Sequence, residues 1–353
     1  MKRLISLACI CCLILGFAIP CHAEESVTSP TLYYCIEDDH AIIVDFESPF
    51  ALSLEIPAEI DGYPVTKIGP AAFSFCTELV EVTIPNTVTF IDDDAFAYCT
   101  ELKKVHIPEG VETIWEDAFF ACYSLTELVL PSTLTTLGNF AFCCCTSLET
   151  IQISEGLTTM GVSTFGDCAM TEISLPGSLK VVTDSAFAGC AQLEKVTLAE
   201  GITEIADTAF FCCDNLKEIT IPSTVTKLGH HIFTYSGMHQ IHFLGDAPEF
   251  DEECFYDFTA TAYYPAGNPT WTDEVMQNYW GNITWMPETA ILKGDVTGDG
   301  RINVGDVSKL YAHTKKTALL PDDRLPAADL TGDGRINLGD VSKLYASIKK
   351  TST

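Results

Sequence analysis

The sequence predicts an α/β solenoid of coils about 23 residues long, followed by a small all-α domain. Three observations carry that expectation. A frame of apolar-x-apolar-Pro, then apolar-x-x-apolar, then Ala-Phe-x-x-Cys-x-x-Leu recurs along the middle of the chain. Its anchors, Pro85, Pro108, Pro131, Ser154, Pro176, Ala199 and Pro222, follow one another at intervals of 23, 23, 23, 22, 23 and 23 residues. Near the end, residues 294–312 return almost letter for letter as residues 328–346. A fixed period of this length is the mark of a repeat architecture.

Residues 1–23 read as a secretory leader. Lys2 and Arg3 form its basic end, Leu4 to Ile19 its apolar stretch, and Cys21, His22 and Ala23 a small-residue cleavage site. Pro20 fits a lipoprotein acylation box poorly, so a free secreted chain is expected. No later stretch is long and apolar enough to span a membrane. The chain holds 19 basic against 49 acidic side chains, a net charge of −30. Nucleic acids and anionic membranes need a cationic surface, so both are excluded as partners.

Within the coils, pairs such as Val82/Ile84, Val105/Ile107 and Leu128/Leu130 alternate with polar residues. That is a short strand with one face buried. The spacing of Ala95, Phe96, Cys99 and Leu102 predicts a short helical turn. Phenylalanine recurs at 73, 96, 119, 142, 165, 187, 210 and 233, and three residues after each comes Cys76, Cys99, Cys122, Cys145, Cys168, Cys190, Cys213 or, last, Ser236. One strand and one helical segment in such a length is the leucine-rich repeat pattern. The chain resembles the BspA-like (type 5) leucine-rich repeats of secreted bacterial proteins, most plainly in LKKVHIPEGVETIWEDAFFACYSL and its neighbours. The resemblance implies an N-terminal cap over residues 24–60, a solenoid over 61–245 and a C-terminal cap over 246–287. Caps keep the end coils from exposing core.

Twelve of the sixteen cysteines lie beyond the leader. Stacked strands sit about 4.8 Å apart, a separation a disulfide can span. Equivalent side chains on stacked coils point the same way, however, so the column is expected to be packed rather than bridged. Cys143, Cys144 and Cys212 fall outside it, and Cys35 and Cys254 sit in opposite caps.

The duplicated segments carry oxygen-bearing residues at the spacing of a calcium loop. In the first, Asp295, Thr297, Asp299, Arg301, Asn303 and Asp306 hold positions 1, 3, 5, 7, 9 and 12. In the second these are Asp329, Thr331, Asp333, Arg335, Asn337 and Asp340. Calcium takes six to eight oxygens from such positions, and position 7 gives only its carbonyl, so arginine is allowed there. Gly300 and Gly334 supply the turn at position 6. Two Ca²⁺ are expected.

This pair resembles a type I dockerin, here residues 288–353. The resemblance implies binding to a cohesin module of a scaffold protein, as in a cellulosome-type assembly for extracellular polysaccharide breakdown. Cohesin contacts carried over from the family are Val304, Gly305, Tyr311, Ala312 and Lys316, and in the second copy Leu338, Gly339, Tyr345, Ala346 and Lys350. The i, i+3, i+4 spacing of Val307, Leu310 and Tyr311 also allows the tyrosines to be core. The matched copies suggest two equivalent docking poses.

No catalytic motif stands out: no nucleophile–base order, phosphate loop or zinc spacing. Outward strand positions such as Glu81, Lys104, His106, Glu127 and Val129 form a mixed polar ribbon without an aromatic ring, suited to protein contact. His230, His231, His239 and His242 crowd the last coil, either as a metal cluster or as plain surface. Tyr263, Tyr264, Trp271, Tyr279, Trp280 and Trp285 form either cap core or a ring-stacking site. The expected protein is a secreted non-catalytic one. The alternatives are a cell-surface adhesin or a glycoside-acting enzyme with its site on the solenoid.

Overall fold

The computed structural model describes residues 22–23, 31–48, 52–288, 296–297, 302–320, 325–331 and 335–351. The predicted leader therefore lies outside the described residues up to residue 21. The chain divides into two compact units, one ending at Met286 and the other beginning at Pro287.

In the first unit the alternating runs become short parallel strands stacked coil on coil. Glu81, Val82 and Thr83 pair with Lys104, Val105 and His106, in the register of one 23-residue repeat. Val82 is fully buried and Glu81 exposed, as the two-residue period of a strand requires. A second parallel ladder was not foreseen. The apolar-x-x-apolar step after each proline forms a two-residue strand, as at Phe90–Ile91, Thr113–Ile114 and Thr136–Leu137. Each pairs with the same step of the next coil.

The segment expected to be helical is a ladder of turns instead. Ser74 N–H donates to Ala71 O and Cys76 N–H to Phe73 O, closing turns inside the coil. The alternate donors, Phe73 and Phe75, reach Ala95 O and Ala97 O of the next coil. A helix would send every one of these bonds into its own turn. Left-handed backbone two residues before and two after each phenylalanine breaks that pattern: Ala71 and Phe75 at φ 55° and 59°, Asp94 and Tyr98 at 54° and 59°. No helix lies among the described residues of this unit.

The core is a stack of rings. Phe73, Phe96, Phe119, Phe142, Phe165, Phe187, Phe210 and Phe233 are all fully buried, with successive centroids 4.8–6.1 Å apart and planes within 13° of parallel. Beside it runs the cysteine column, packed and unbridged. From Cys99 onward each thiol of the column reaches the phenylalanine carbonyl of the preceding coil: Cys99 Sγ to Phe73 O at 3.0 Å, Cys122 to Phe96 at 3.3 Å, Cys145 to Phe119 at 3.4 Å. Cys168, Cys190 and Cys213 repeat the contact. Ser236, last in the column, is too short to follow, and donates to Phe233 O of its own coil. The thiol is therefore a hydrogen-bond donor as well as a small apolar filler.

At the N-terminal end, Thr31–Glu37 and His40–Glu47 form an antiparallel hairpin. Its turn residues, Asp38 and Asp39, have φ 48° and 61°, the primed turn that matches strand twist. The second strand pairs parallel with Tyr63–Ile68, so the hairpin covers an otherwise open ladder edge. At the other end Trp271 is buried and packs on Phe243 and Trp285, while Trp280 is 66% exposed.

The second unit holds α1 (Val304–Thr314), α2 (Leu325–Ala328) and α3 (Leu338–Thr351). Val296, Leu310, Leu320, Ala328 and Leu344 form its core. Leu310 and Leu344 occupy the same place in the two copies, so the duplication is carried into the packing.

Candidate functional site

α1 starts where it does because Asn303 caps it. Asn303 Oδ1 accepts the Gly305 N–H at 2.7 Å, and Asp306 Oδ2 accepts the Asn303 N–H at 2.8 Å, a closed capping box. Asp306 Oδ1 in turn accepts the N–H and hydroxyl of Thr297 at 2.9 and 2.8 Å. The second copy repeats this: Asp340 Oδ2 accepts from Asn337 N–H at 2.8 Å, and its Oδ1 accepts both donors of Thr331 at 2.9 Å. Asp306 and Asp340 are both fully buried. For Asp340, burial opposes ionisation, but the bonds from Asn337, Thr331 and Leu330 prevail and hold the carboxyl below its ordinary range. It is thus a buried carboxylate kept charged, the state in which it can bind a cation.

In the second loop, positions 1, 3 and 12 converge. Thr331 Oγ1 lies 3.3 Å from Asp329 Oδ1 and 2.9 Å from Asp340 Oδ1. Every donor in this set is an oxygen, which fits a hard cation such as calcium. Asp295, Asp299, Arg301 and Asp333 lie outside the described residues. Arg335 and Asn337 are exposed, with Asn337 adjoining the Asp340 carboxylate through its backbone.

Of the residues expected to meet a partner, Val304, Gly305, Tyr311 and Ala312 lie on α1 and their counterparts on α3, while Lys316 follows the end of α1. Val304 and Tyr311, seven apart on α1, are 62% and 48% exposed; Leu338 and Tyr345, seven apart on α3, are 50% and 57% exposed. The tyrosines are therefore outside the core, and Leu310 and Leu344 take the buried positions beside them. Gly305, Gly339, Lys316 and Ala346 are exposed and Ala312 half-buried. Lys350 lies in α3, and its side chain is outside the described residues.

On the solenoid, the face expected to touch a partner forms an open groove lined by Lys104, His106, Glu109, Glu127 and Val129. Lys104 Nζ stands 3.7 Å from Glu127 Oε1, with both side chains more than half exposed, a pair that contributes little to stability. In the last coil His230 Nδ1 meets Asp251 Oδ1 at 2.5 Å and His231 Nε2 meets Glu253 Oε2 at 3.0 Å. These two histidines are paired with carboxylates, His242 stacks on Tyr263, and among the described residues the four histidines form no metal-holding group. The sequence missed the exposure of Trp280, whose aromatic setting gave no cue to separate it from Trp271.

Comparison with known proteins places both units. The family model for the BspA type leucine rich repeat region matches residues 66–194 and 158–264, in 6 copies. The type I dockerin domain matches residues 293–349. A leucine-rich repeat protein from Bacteroides ovatus has a TM-score of 0.56 at 23% identity, covering 78% of this chain and 79% of its own. A leucine-rich repeat protein of T. pallidum has 27% identity and a TM-score of 0.48, over 57% and 85% of the two chains. A leucine rich cell surface protein from Faecalibacterium prausnitzii has 23% identity and a TM-score of 0.49, over 69% and 70%. No curated protein matches. The Bacteroides ovatus structure shares the solenoid fold. The repeats span more than half of the chain, which belongs to the BspA-type leucine-rich repeat family and ends in a type I dockerin domain.

Proposed function

We propose that this chain is a secreted, non-catalytic interaction protein, carried to a cohesin-bearing scaffold by calcium-dependent docking. The setting is a cellulosome-type assembly acting on extracellular polysaccharide. One observation carries the reading: each copy joins a buried, hydrogen-bonded aspartate at loop position 12 to an exposed valine or leucine and a tyrosine on the same helix. Asp306 goes with Val304 and Tyr311, and Asp340 with Leu338 and Tyr345.

Two calcium ions would be held by Asp295, Thr297, Asp299, the Arg301 carbonyl, Asn303 and Asp306, and by the matching residues of the second loop, Asp329 to Asp340. Bound calcium supplies the positive charge that fixes the loop. The capping boxes at Asn303 and Asn337 then transmit loop order to the starts of α1 and α3. Matched faces give two equivalent poses on cohesin, using Tyr311 and Ala312 in one and Tyr345 and Ala346 in the other. Residues 1–23 are the leader, 24–60 and 246–287 the caps, 61–245 the solenoid and 288–353 the dockerin. The solenoid, with its mixed ribbon from Glu81 to His242, is the cargo and contacts a protein partner.

The test is capture of the full chain on a panel of immobilised cohesin modules, with calcium and with chelator. Capture by at least one cohesin, lost on chelation and restored by calcium, supports the mechanism. Binding that persists after complete calcium removal refutes it.

A further inference from the structure

Three side chains on the turn ladder have no part in the ring stack or the thiol column. Cys143 is buried, Cys144 half-buried and Asp167 exposed, and one ligand atom from each lies within 4.8 Å of the other two. The two sulfurs are 3.7 Å apart. Two thiolates bound tetrahedrally at the usual zinc–sulfur distance of about 2.3 Å stand about 3.8 Å apart. The pair is thus already at chelating separation, and well beyond the roughly 2.05 Å of a disulfide.

The backbone fixes this arrangement. Cys144 N–H donates to Gly166 O at 2.8 Å, and Asp167 N–H donates to Ala188 O at 2.8 Å. Cys144 and Asp167 hold the same left-handed position on neighbouring coils, at φ 62° and 56°. Two glycines keep the space open. A Cβ at Gly166 would come within 3.3 Å of Cys143 Sγ, and one at Gly189 within 2.1 Å of Asp167 Oδ1. The burial gradient leaves the approach open from the Asp167 side, and the net charge of −30 favours an arriving cation.

We propose that Cys143, Cys144 and Asp167 form a site for a thiophilic divalent cation of the zinc type. Two sulfurs and one carboxylate select such an ion over calcium or magnesium, which prefer oxygen. Each cysteine gives its proton to solvent as its metal–sulfur bond forms. Three protein ligands leave a fourth position for water or for a partner's side chain. The ion would tie one coil to the next at the solenoid edge.

The probe is cobalt(II), titrated into the reduced full chain under inert gas with excess calcium present. Thiolate-to-cobalt charge-transfer absorption reports the site. It cannot arise from the dockerin loops, because no cysteine follows Cys254. The absorption should saturate at one equivalent and be displaced by zinc. The double variant Cys143→Ser, Cys144→Ser should abolish it, while Cys212→Ser leaves it intact. Asp167→Asn, an exposed change that keeps the fold, should weaken the affinity at least about tenfold, the low end of the loss seen even for an outer-shell partner. The proposal is overturned by an absent band in the folded wild type, or by a band the double variant retains. It also fails if mass mapping of the metal-free chain returns a Cys143–Cys144 disulfide.

Discussion

Replacing Cys145 by alanine tests whether the thiol column is held by its donors as well as by its size. Cys145 is fully buried, between Cys122 and Cys168 in the column, and its Sγ donates to Phe119 O at 3.4 Å. Burial pushes its thiol well above the ordinary range, with the neighbouring Cys122 adding to the effect, so it stays protonated and able to donate. Removing the sulfur takes away apolar burial comparable to one methylene, about 0.8 kcal/mol. The remaining void adds about 0.5 kcal/mol at roughly 24 cal/mol per Å³. Loss of a weak donor adds about 0.5 kcal/mol, at the low end for hydrogen bonds. The expected destabilisation is about 2 kcal/mol. The Cys145→Ser variant keeps a donor, which can turn back to the carbonyl of its own coil as Ser236 does to Phe233 O. It should fall between alanine and wild type. All four tryptophans, at 115, 271, 280 and 285, lie in the solenoid unit, so urea unfolding followed by tryptophan emission reads that unit alone. An alanine variant within about 0.5 kcal/mol of wild type, below the sum of burial and cavity costs, would refute the reasoning.

Other outcomes follow from the same geometry. The thiols of Cys76 and Cys190 are pushed up to about 12, by burial above all, and the rest of the column moves the same way. Their protonated form is therefore favoured by folding: the stability is full below the unfolded pKa of about 8.5 and declines as pH rises above it. Urea midpoints should drop between pH 8.5 and 11, and Cys145→Ala should flatten that slope. Asp117 is raised to about 6, first by burial and then by Asp94, Glu116 and Asp93. Its charge opposes folding at neutral pH, so Asp117→Asn, which tolerates the φ of 53° there, should raise the melting temperature at pH 7 and lose that advantage towards pH 4. For docking, Tyr311→Ala with Ala312→Arg should leave cohesin capture intact, as should the matching pair at 345 and 346. Combining all four should abolish it; loss of capture from the first pair alone refutes two equivalent poses.

The spacing of Pro85, Pro108 and Pro131 exposed the repeat, because one residue per coil must turn the chain at the same place. The alternation around Val82 and Val105 gave the first ladder for the same reason. The second ladder stayed hidden, because a two-residue strand such as Thr113–Ile114 has no room to show a period. The turn ladder was read as helical because Ala95, Phe96, Cys99 and Leu102 share one face in either conformation. What separates the two is backbone sign, and Ala71, Phe75 and Tyr98 adopt left-handed φ without being glycine or asparagine. Stacking over-determines those angles, and no local propensity announces them. At the dockerin, the repeated spacing of oxygen-bearing residues was legible in both copies. The place of Tyr311 and Tyr345 was not, since the helical period puts each beside a buried leucine and only tertiary contact decides which of the two faces inward.

The two units solve opposite problems with repetition. In the solenoid each copy is a structural neighbour of the next, and its residues are constrained by contact: Phe142 must match Phe119 and Phe165, and Cys145 must reach Phe119 O. Departures from the frame are therefore costly inside the ring stack and the thiol column. Cys143, Cys144 and Asp167 are such departures, on the turn edge rather than in the stack. In the second unit the copies share a core through Leu310 and Leu344, while their matched outward residues stand outside that core. Packing does not require Val304 and Tyr311 to be echoed by Leu338 and Tyr345 on exposed faces. A partner that meets either face would require it, and for that reason the docking test should begin with variants on one copy at a time.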